Sequence, residues 1–426
     1  MARILVGSIP VAGHVAPLVP VVRALVSRGH EVRWYTGSKY RATVDSTGAA
    51  FVGMTHARDY DDAELDREVP ERARLRGLAQ LRFDMKHVFI DSGPAQLRDV
   101  QEIARSFAPD ILFCEAGSLG AVFFSELSGT PVVLLGVIPL TLSSIDTAPF
   151  GLALAPDASP LGRVRNRVLN WIVEHVLFRD VQQHWNATRT ELALPATGWW
   201  LNASDRATAY LQPTIPSLEY PRSDLPPKIC FIGMIPPEAP RDWIPPAFWP
   251  ELDGARPVVH VTQGTLANTE PKLIGPALEG LAGEDVLVVV ATGGRPAASL
   301  GLSRIPANAR IGTFLSYPEL LPKTSVMVTN GGYGGVQMAL AHGVPLVVAG
   351  TSEDKPEVAM RVACSGAGLN LKTGAPTAEQ VRRAVRALLD QPRYRERAAA
   401  LAAEYARYDA VKLAVEAIEG LLAPSG

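Results

Sequence analysis

Short β-branched runs alternate with longer helical patterns, and the chain goes through this scheme twice. No other feature restricts its fold as strongly. RILVGSI (3–9), EVRWYTG (31–37), DILFCEA (110–116) and PVVLLGVI (131–138) read as buried strands. LVPVVRALVSRG (18–29) reads as an amphipathic helix that stops at Gly29. The alternation restarts with PVVHVTQGT (257–265), DVLVVVATGG (285–294), ARIGTF (309–314), SVMVTNGG (325–332) and VPLVVAG (344–350). Alternation with continuously apolar strands implies parallel sheets covered on both faces. Residues 212–257, dense in proline, read as a linker between the two sets.

The expectation is an α/β chain of two Rossmann-like domains. A length of 426 residues exceeds one comfortable core and agrees with that count. The boundaries read as 1–212 for the first domain, 213–256 for the linker and 257–405 for the second domain. A C-terminal helix over 406–426 is expected to return to the first domain, within a helical pattern that starts near Arg395. Two stretches, 60–107 and 160–193, break the alternation and read as helical insertions, either plain packing or the walls of a cleft.

Composition removes several functions. A net charge of −2 without a basic run argues against nucleic acid as partner. Cys114, Cys230 and Cys364 are widely separated and odd in number, which supports neither a disulfide framework nor a zinc cluster. MARILVGSIP is strand-like and lacks the apolar core of a signal peptide, so the expected location is the cytoplasm. The sequons at Asn186 and Asn202 then carry no meaning. PVVLLGVIPL (131–140) is too short to span a bilayer.

The chemistry gathers at strand ends. GGYGG (331–335) places four glycines in five positions between a strand and a helix. Gly331, Gly332, Gly334 and Gly335 leave backbone bare at a helix N-terminus, where N–H groups and dipole both favour an anion. HVTQGTLAN (260–268) repeats the theme through Gly264 and Thr265. Two such turns in one parallel sheet suggest a diphosphate at the strands' carboxyl ends. Glu353 and Asp354 follow the next strand and suit sugar hydroxyls. In IPVAGHVAPLVP, His14 sits between a glycine and a helix start, where an imidazole can take a proton from a hydroxyl. It needs an orienting carboxylate: Glu115 at the end of DILFCE is the first candidate and Asp91 in FIDSGP the second.

On these residues the chain resembles the inverting, nucleotide-sugar-dependent glycosyltransferases of family one. The marks are Gly13-His14-Val15-Ala16-Pro17 and the donor signature from about Phe314 to Lys355. The resemblance implies the GT-B fold, two Rossmann-like domains facing each other across a deep cleft. It implies His14 as general base and Glu115 as its carboxylate partner. Phe314 and Leu315 border the nucleobase, with Tyr317 beside them. Thr265, Asn330 and the 331–335 turn grip the diphosphate. Glu353, Asp354 and Lys355 meet the sugar or its phosphate. It implies neither cofactor nor metal beyond the nucleotide-sugar co-substrate, UDP-glucose first and a dTDP-sugar second. The other partner is a hydrophobic small-molecule acceptor such as a phenolic, polyketide or macrolide aglycone. Phe83, Phe89, Leu140 and Trp171 are expected to line its pocket.

The chain departs from the family pattern in places. Asn330 stands where many members carry His, Gly335 where Ser or Thr is frequent, and Met338 where a Glu binds ribose. Glu115 replaces a frequent Asp, and Lys355 a frequent Gln. Rival readings are a nucleotide-sugar epimerase, a non-catalytic activator of another glycosyltransferase, and a nucleotide-sugar binding module. His14 argues against the activator, and an intact acceptor half argues against the module.

Overall fold

The computed structural model describes residues 1–64, 67, 69–237, 243–264, 272–300 and 305–422. Among the described residues the strands form two sheets. The first joins β1 (Arg3–Gly7), β2 (Glu31–Tyr35), β3 (Ala50–Val52), β4 (Ile111–Glu115), β5 (Val132–Leu135), β6 (Ala209–Gln212) and β7 (Ile229–Phe231) in the order β3-β2-β1-β4-β5-β6-β7. The second joins β8 (Val258–Thr262), β9 (Leu287–Ala291), β10 (Ala309–Gly312), β11 (Val326–Thr329), β12 (Leu346–Val348) and β13 (Gly368–Asn370) in the order β10-β9-β8-β11-β12-β13. The ladders run parallel, as between Val6 and Phe113 or Val328 and Val261. Helices cover both faces, so β4, β8 and β9 are buried at every residue, which is why their sequences are mostly apolar. In each sheet the strand order reverses beside the first strand, between β1 and β4 and between β8 and β11. A doubly wound sheet opens a crevice at that reversal, at its carboxyl edge.

Three boundaries differ from the sequence reading. The proline-rich stretch is not linker throughout, because Ile229–Phe231 joins the first sheet as β7 beside β6. A three-residue edge strand between prolines carries too short a pattern to read. The last helical pattern is two helices, Pro392–Tyr405 and Ala410–Leu422. Asp409 breaks it by accepting from the N–H of Lys412 at 3.0 Å, the geometry of a new N-cap. The second of these helices packs Ala414, Val415 and Ile418 against Leu18, Val22 and Leu25 of the first domain. In the 60–107 insertion, residues 60–64 are loop and turn, and helix runs from Pro70.

The carboxyl edges of the two sheets meet. Gln212, the last residue of β6, donates through Nε2 to Tyr333 Oη at 3.1 Å, just past the end of β11. Tyr405 Oη lies 3.4 Å from Thr214 Oγ1 and donates to Gln337 Oε1 at 3.2 Å.

A buried charge cluster reinforces this junction. Arg361 gives Nε to Glu219 Oε1 at 2.6 Å and Nη1 to Glu357 Oε2 at 2.9 Å. Arg222 donates to Glu219 Oε2 at 3.0 Å. The amides of Gly151 and Ala153 both donate to Glu357 Oε1 at 2.8 Å. Each of these four charged side chains is at most 3% exposed. Burial alone would push Glu219 up, but the Arg361 and Arg222 charges outweigh it and hold its carboxyl below the usual range. Removing one partner leaves charge buried without compensation. Arg361→Met is therefore expected to lower the unfolding free energy by about 3–5 kcal/mol in urea titrations at neutral pH. A loss under about 1 kcal/mol would show the cluster to be dispensable.

Candidate active site

The reversal of the first sheet brings His14 and Glu115 together. Glu115 is the last residue of β4, and the helix Ala12–Val15 follows β1, its neighbour in the sheet. His14 Nδ1 lies 2.7 Å from Glu115 Oε2. Glu115 also accepts from the N–H of Ile9 at 3.0 Å and of Gly117 at 2.7 Å, so both oxygens are fixed. Its side chain is fully buried, while that of His14 stays 20% exposed. The contact puts the proton on Nδ1 and the lone pair on Nε2. Asp91 lies elsewhere, 2.8 Å from His87 Nδ1 and 2.5 Å from His184 Nε2. Glu115, and not Asp91, is thus the carboxylate in contact with His14.

The reversal of the second sheet builds the glycine turn. Gly331 has φ +90°, and a Cβ there would sit 2.8 Å from Val348 Cγ1, so only glycine makes this bend without strain. Gly332 and Gly334 have nothing within 4 Å of a built Cβ, which leaves open space over the start of the helix Tyr333–Ala341. Among the described residues the N–H groups of Tyr333, Gly334 and Gly335 have no protein acceptor. Asn330 gives Nδ2 to Gln263 O at 2.5 Å and so ties the ends of β11 and β8 together. That donor is spent on backbone. The turn rests on the loop after β12, because a Cβ on Gly350 would fall 1.9 Å from Asn330 O. Asp354 therefore sits beside it, at the N-cap of the helix Lys355–Ser365. Burial pushes the half-buried Asp354 carboxyl up to about 6. Glu353 holds φ +56° and ion-pairs with Lys355.

Comparison with known proteins agrees with this geometry. Residues 277–418 match the EryCIII-like family, described as the erythromycin biosynthesis protein CIII-like C-terminal domain. The chain is 47% identical over 423 residues to 4'-demethylrebeccamycin synthase of Lentzea aerocolonigenes, covering 99% of this chain and 100% of that one. It is 33% identical to UDP-glucosyltransferase A1 of Starmerella bombicola, covering 98% and 91%. The chain belongs to the family-one natural-product glycosyltransferases. Its fold matches CalG4, the calicheamicin glycosyltransferase, with TM-score 0.77 over 100% and 99% of the two chains at 18% identity. VinC, solved with dTDP, gives TM-score 0.71 over 99% of each at 18% identity. Both are GT-B structures, and this glycosyltransferase shares that architecture.

The remaining expected residues of the glycosyltransferase divide. Phe314 stands 57% exposed at the carboxyl edge, open to a base. Leu315 turns its side chain into the core beside Leu287 and Leu320, so only its backbone can border a ligand. Tyr317 is buried against His260. Thr265 lies outside the described residues. Gln337 is buried and engaged by Tyr405, and Met338 packs beside the core cluster of its helix. Neither offers ribose a carboxylate.

The acceptor-lining set is not brought together. Leu140 is 2% exposed, and its carbonyl takes Arg222 Nη2 at 3.2 Å at the junction. Phe89 packs on the cluster around Trp185, and Phe83 lies against His87. Trp171 is 56% exposed with Leu161, Val164 and Val168 on the outer face of the helix Pro160–Ile172, stacked on His175. The sequence reading passed over two groups, the Glu219–Arg361 cluster and the acidic loop Asp59-Tyr60-Asp61-Asp62. The dense acids of that loop were the only signal. A cavity of about 380 Å³ beside Ser325, Pro345 and Leu388 lies at the amino ends of β11 and β12, opposite the glycine turn.

The two kinds of glycine separate by experiment. Gly331→Ala forces a left-handed alanine and is expected to cost about 1–2 kcal/mol of stability in chemical denaturation. Gly334→Ala, with open space around it, is expected to keep stability within about 0.5 kcal/mol. It should still reduce the thermal shift given by UDP or dTDP. Equal stability of the two variants would contradict the geometry of the turn.

Proposed function

We propose that this glycosyltransferase moves a hexosyl group, with inversion, from a nucleoside-diphosphate sugar to a hydroxyl of a hydrophobic small-molecule acceptor. The His14–Glu115 pair carries the reading, since it stands on the carboxyl edge that faces the glycine turn. UDP-glucose is the first donor, in keeping with the relative named a UDP-glucosyltransferase. A dTDP-sugar is the second, in keeping with a structural neighbour solved with dTDP. Natural-product aglycones of the phenolic, polyketide or macrolide kind are the acceptor class. No cofactor or metal takes part beyond the co-substrate. A cytoplasmic site of action belongs to the same proposal, and the three cysteines are unpaired.

The donor lies with its diphosphate on the amides of Tyr333, Gly334 and Gly335, its base beside Phe314 and its sugar hydroxyls on Asp354. The acceptor oxygen attacks the anomeric carbon opposite the leaving group. Its proton passes to His14 Nε2. The bond from the anomeric carbon to the phosphate oxygen breaks, and its electron pair leaves on the diphosphate. The helix N-terminus stabilises that growing charge. Glu115 holds the imidazole in the required tautomer and balances the imidazolium.

A positioned general base contributes roughly 10²–10⁴-fold. His14→Ala is therefore expected to lower kcat by that range while the thermal shift with UDP stays unchanged. Wild-type turnover in this variant would remove His14 from the reaction. Asp354 adds a pH signature. Sugar hydroxyls bind the ionised carboxylate, so protonation below pH about 6 should weaken UDP-glucose binding but spare UDP. Calorimetric titrations from pH 5 to 8 should show the two ligands diverge as pH falls, and Asp354→Asn should abolish the divergence.

A further inference from the structure

The loop at residues 59–62 packs on the turn that carries His14. Its two anchors are carboxylates. Asp59 accepts from the N–H of Ser38 at 3.0 and 3.2 Å. A Cβ on Gly37 would fall 2.5 Å from Pro10 and 2.6 Å from Asp59 Oδ1, so this end of the loop packs on the turn after β1. Asp62 accepts from the N–H of Ala12 at 3.1 Å, ion-pairs with Lys39 and takes the Tyr40 hydroxyl at 3.4 Å. Its side chain is 5% exposed. Ala12 opens the short helix that carries His14. The loop is thus pinned on both sides of Tyr60, directly above the His14 turn.

Tyr60 is only partly buried, and its hydroxyl is idle. Among the described residues it has no hydrogen-bond partner. Three other tyrosines are engaged, Tyr35 with Asp99 at 2.7 Å, Tyr333 with Gln212 at 3.1 Å and Tyr405 with Gln337 at 3.2 Å, whereas the Tyr220 hydroxyl is buried without a partner among the described residues. Burial first, and then the charges of Glu115 and Asp62, push the Tyr60 phenol well above its ordinary value. Tyr60, between anchors that hold Ala12 and the turn at Pro10, stands beside the turn that carries His14. It stays protonated and can donate. The hydroxyl is not closed off from water, so a ligand oxygen can take the place of solvent there.

Resting on the function proposed above, we propose that Tyr60 binds the acceptor. Its hydroxyl donates to an oxygen next to the attacking hydroxyl and orients the nucleophile toward His14. The class of acceptor selected is an aromatic with two adjacent oxygens, one attacking and one held by Tyr60. The phenol does not exchange its proton in the reaction.

Tyr60→Phe removes one oxygen and keeps the ring. The probes are 1,2-dihydroxyanthraquinone, which has adjacent oxygens, and 2-hydroxyanthraquinone, which has one. Each is assayed with UDP-glucose and dTDP-glucose on wild type, Tyr60→Phe and His14→Ala. The expected result is an acceptor KM about 10-fold higher in Tyr60→Phe for the dihydroxy probe, the effect of one lost hydrogen bond. The kcat, the donor KM and the thermal shift with UDP stay within about twofold. For the monohydroxy probe the two enzymes match. An equal KM increase for both probes, or a loss of donor affinity, assigns Tyr60 a structural role and overturns the inference. Unchanged KM for the dihydroxy probe overturns it as well, while an inactive His14→Ala leaves the parent function intact. Failure of the wild type on every probe and donor, or full activity of His14→Ala, brings down the parent reading and this one with it.

Discussion

The site exists only while two sheet edges face each other, and a buried knot of charge holds them there. Arg361 joins Glu219 of the connecting segment to Glu357 of its own helix, and Glu357 takes two amides from the 151–153 loop. The same helix begins at Lys355, one residue past Asp354. Whatever fixes Arg361 therefore also fixes the helix that begins beside Asp354. Paired and hydrogen-bonded, such charges tolerate burial. Broken, they become the most expensive groups in the molecule.

Chemistry is divided along the same line. Each half presents the reversal point of a doubly wound sheet, and each uses it differently. The first half spends its crevice on a buried carboxylate and an imidazole. The second spends its crevice on uncovered amides at a helix start. A buried carboxylate stands behind the His14 imidazole, and the N–H groups at the helix start carry partial positive charge. In the proposed reaction the facing edges put proton acceptance and anion stabilisation on opposite sides of one gap.

Much of this is legible in the chain. Buried parallel strands have no solvent face, so their runs are mostly apolar without a two-residue alternation and stand out. Glycines at a bend and a histidine after a strand are local signals. Glu115 is legible because it terminates a strand. Side-chain direction is not legible. Leu140 and Leu315 sit in the expected segments but turn inward, and Trp171 turns to solvent, because packing decides which side of a loop or helix faces a cleft. β7 escaped because three residues carry no period. Asn330 was expected at a phosphate, yet its amide binds Gln263 across two strands far apart in sequence.

The sequence by itself determined the two-sheet α/β architecture, the GT-B family and the places of His14 and the glycine turn at strand ends. These depend on periodicity and on residue type at strand ends, which neighbouring residues encode. Tertiary structure alone decided that Glu115 and not Asp91 meets His14, that Arg361 bridges the domains, and that the loop around Tyr60 packs on the turn carrying His14. Those facts join residues a hundred or more positions apart or depend on how loops pack. Contacts of that kind arise from the closing of the fold, and no local pattern records them.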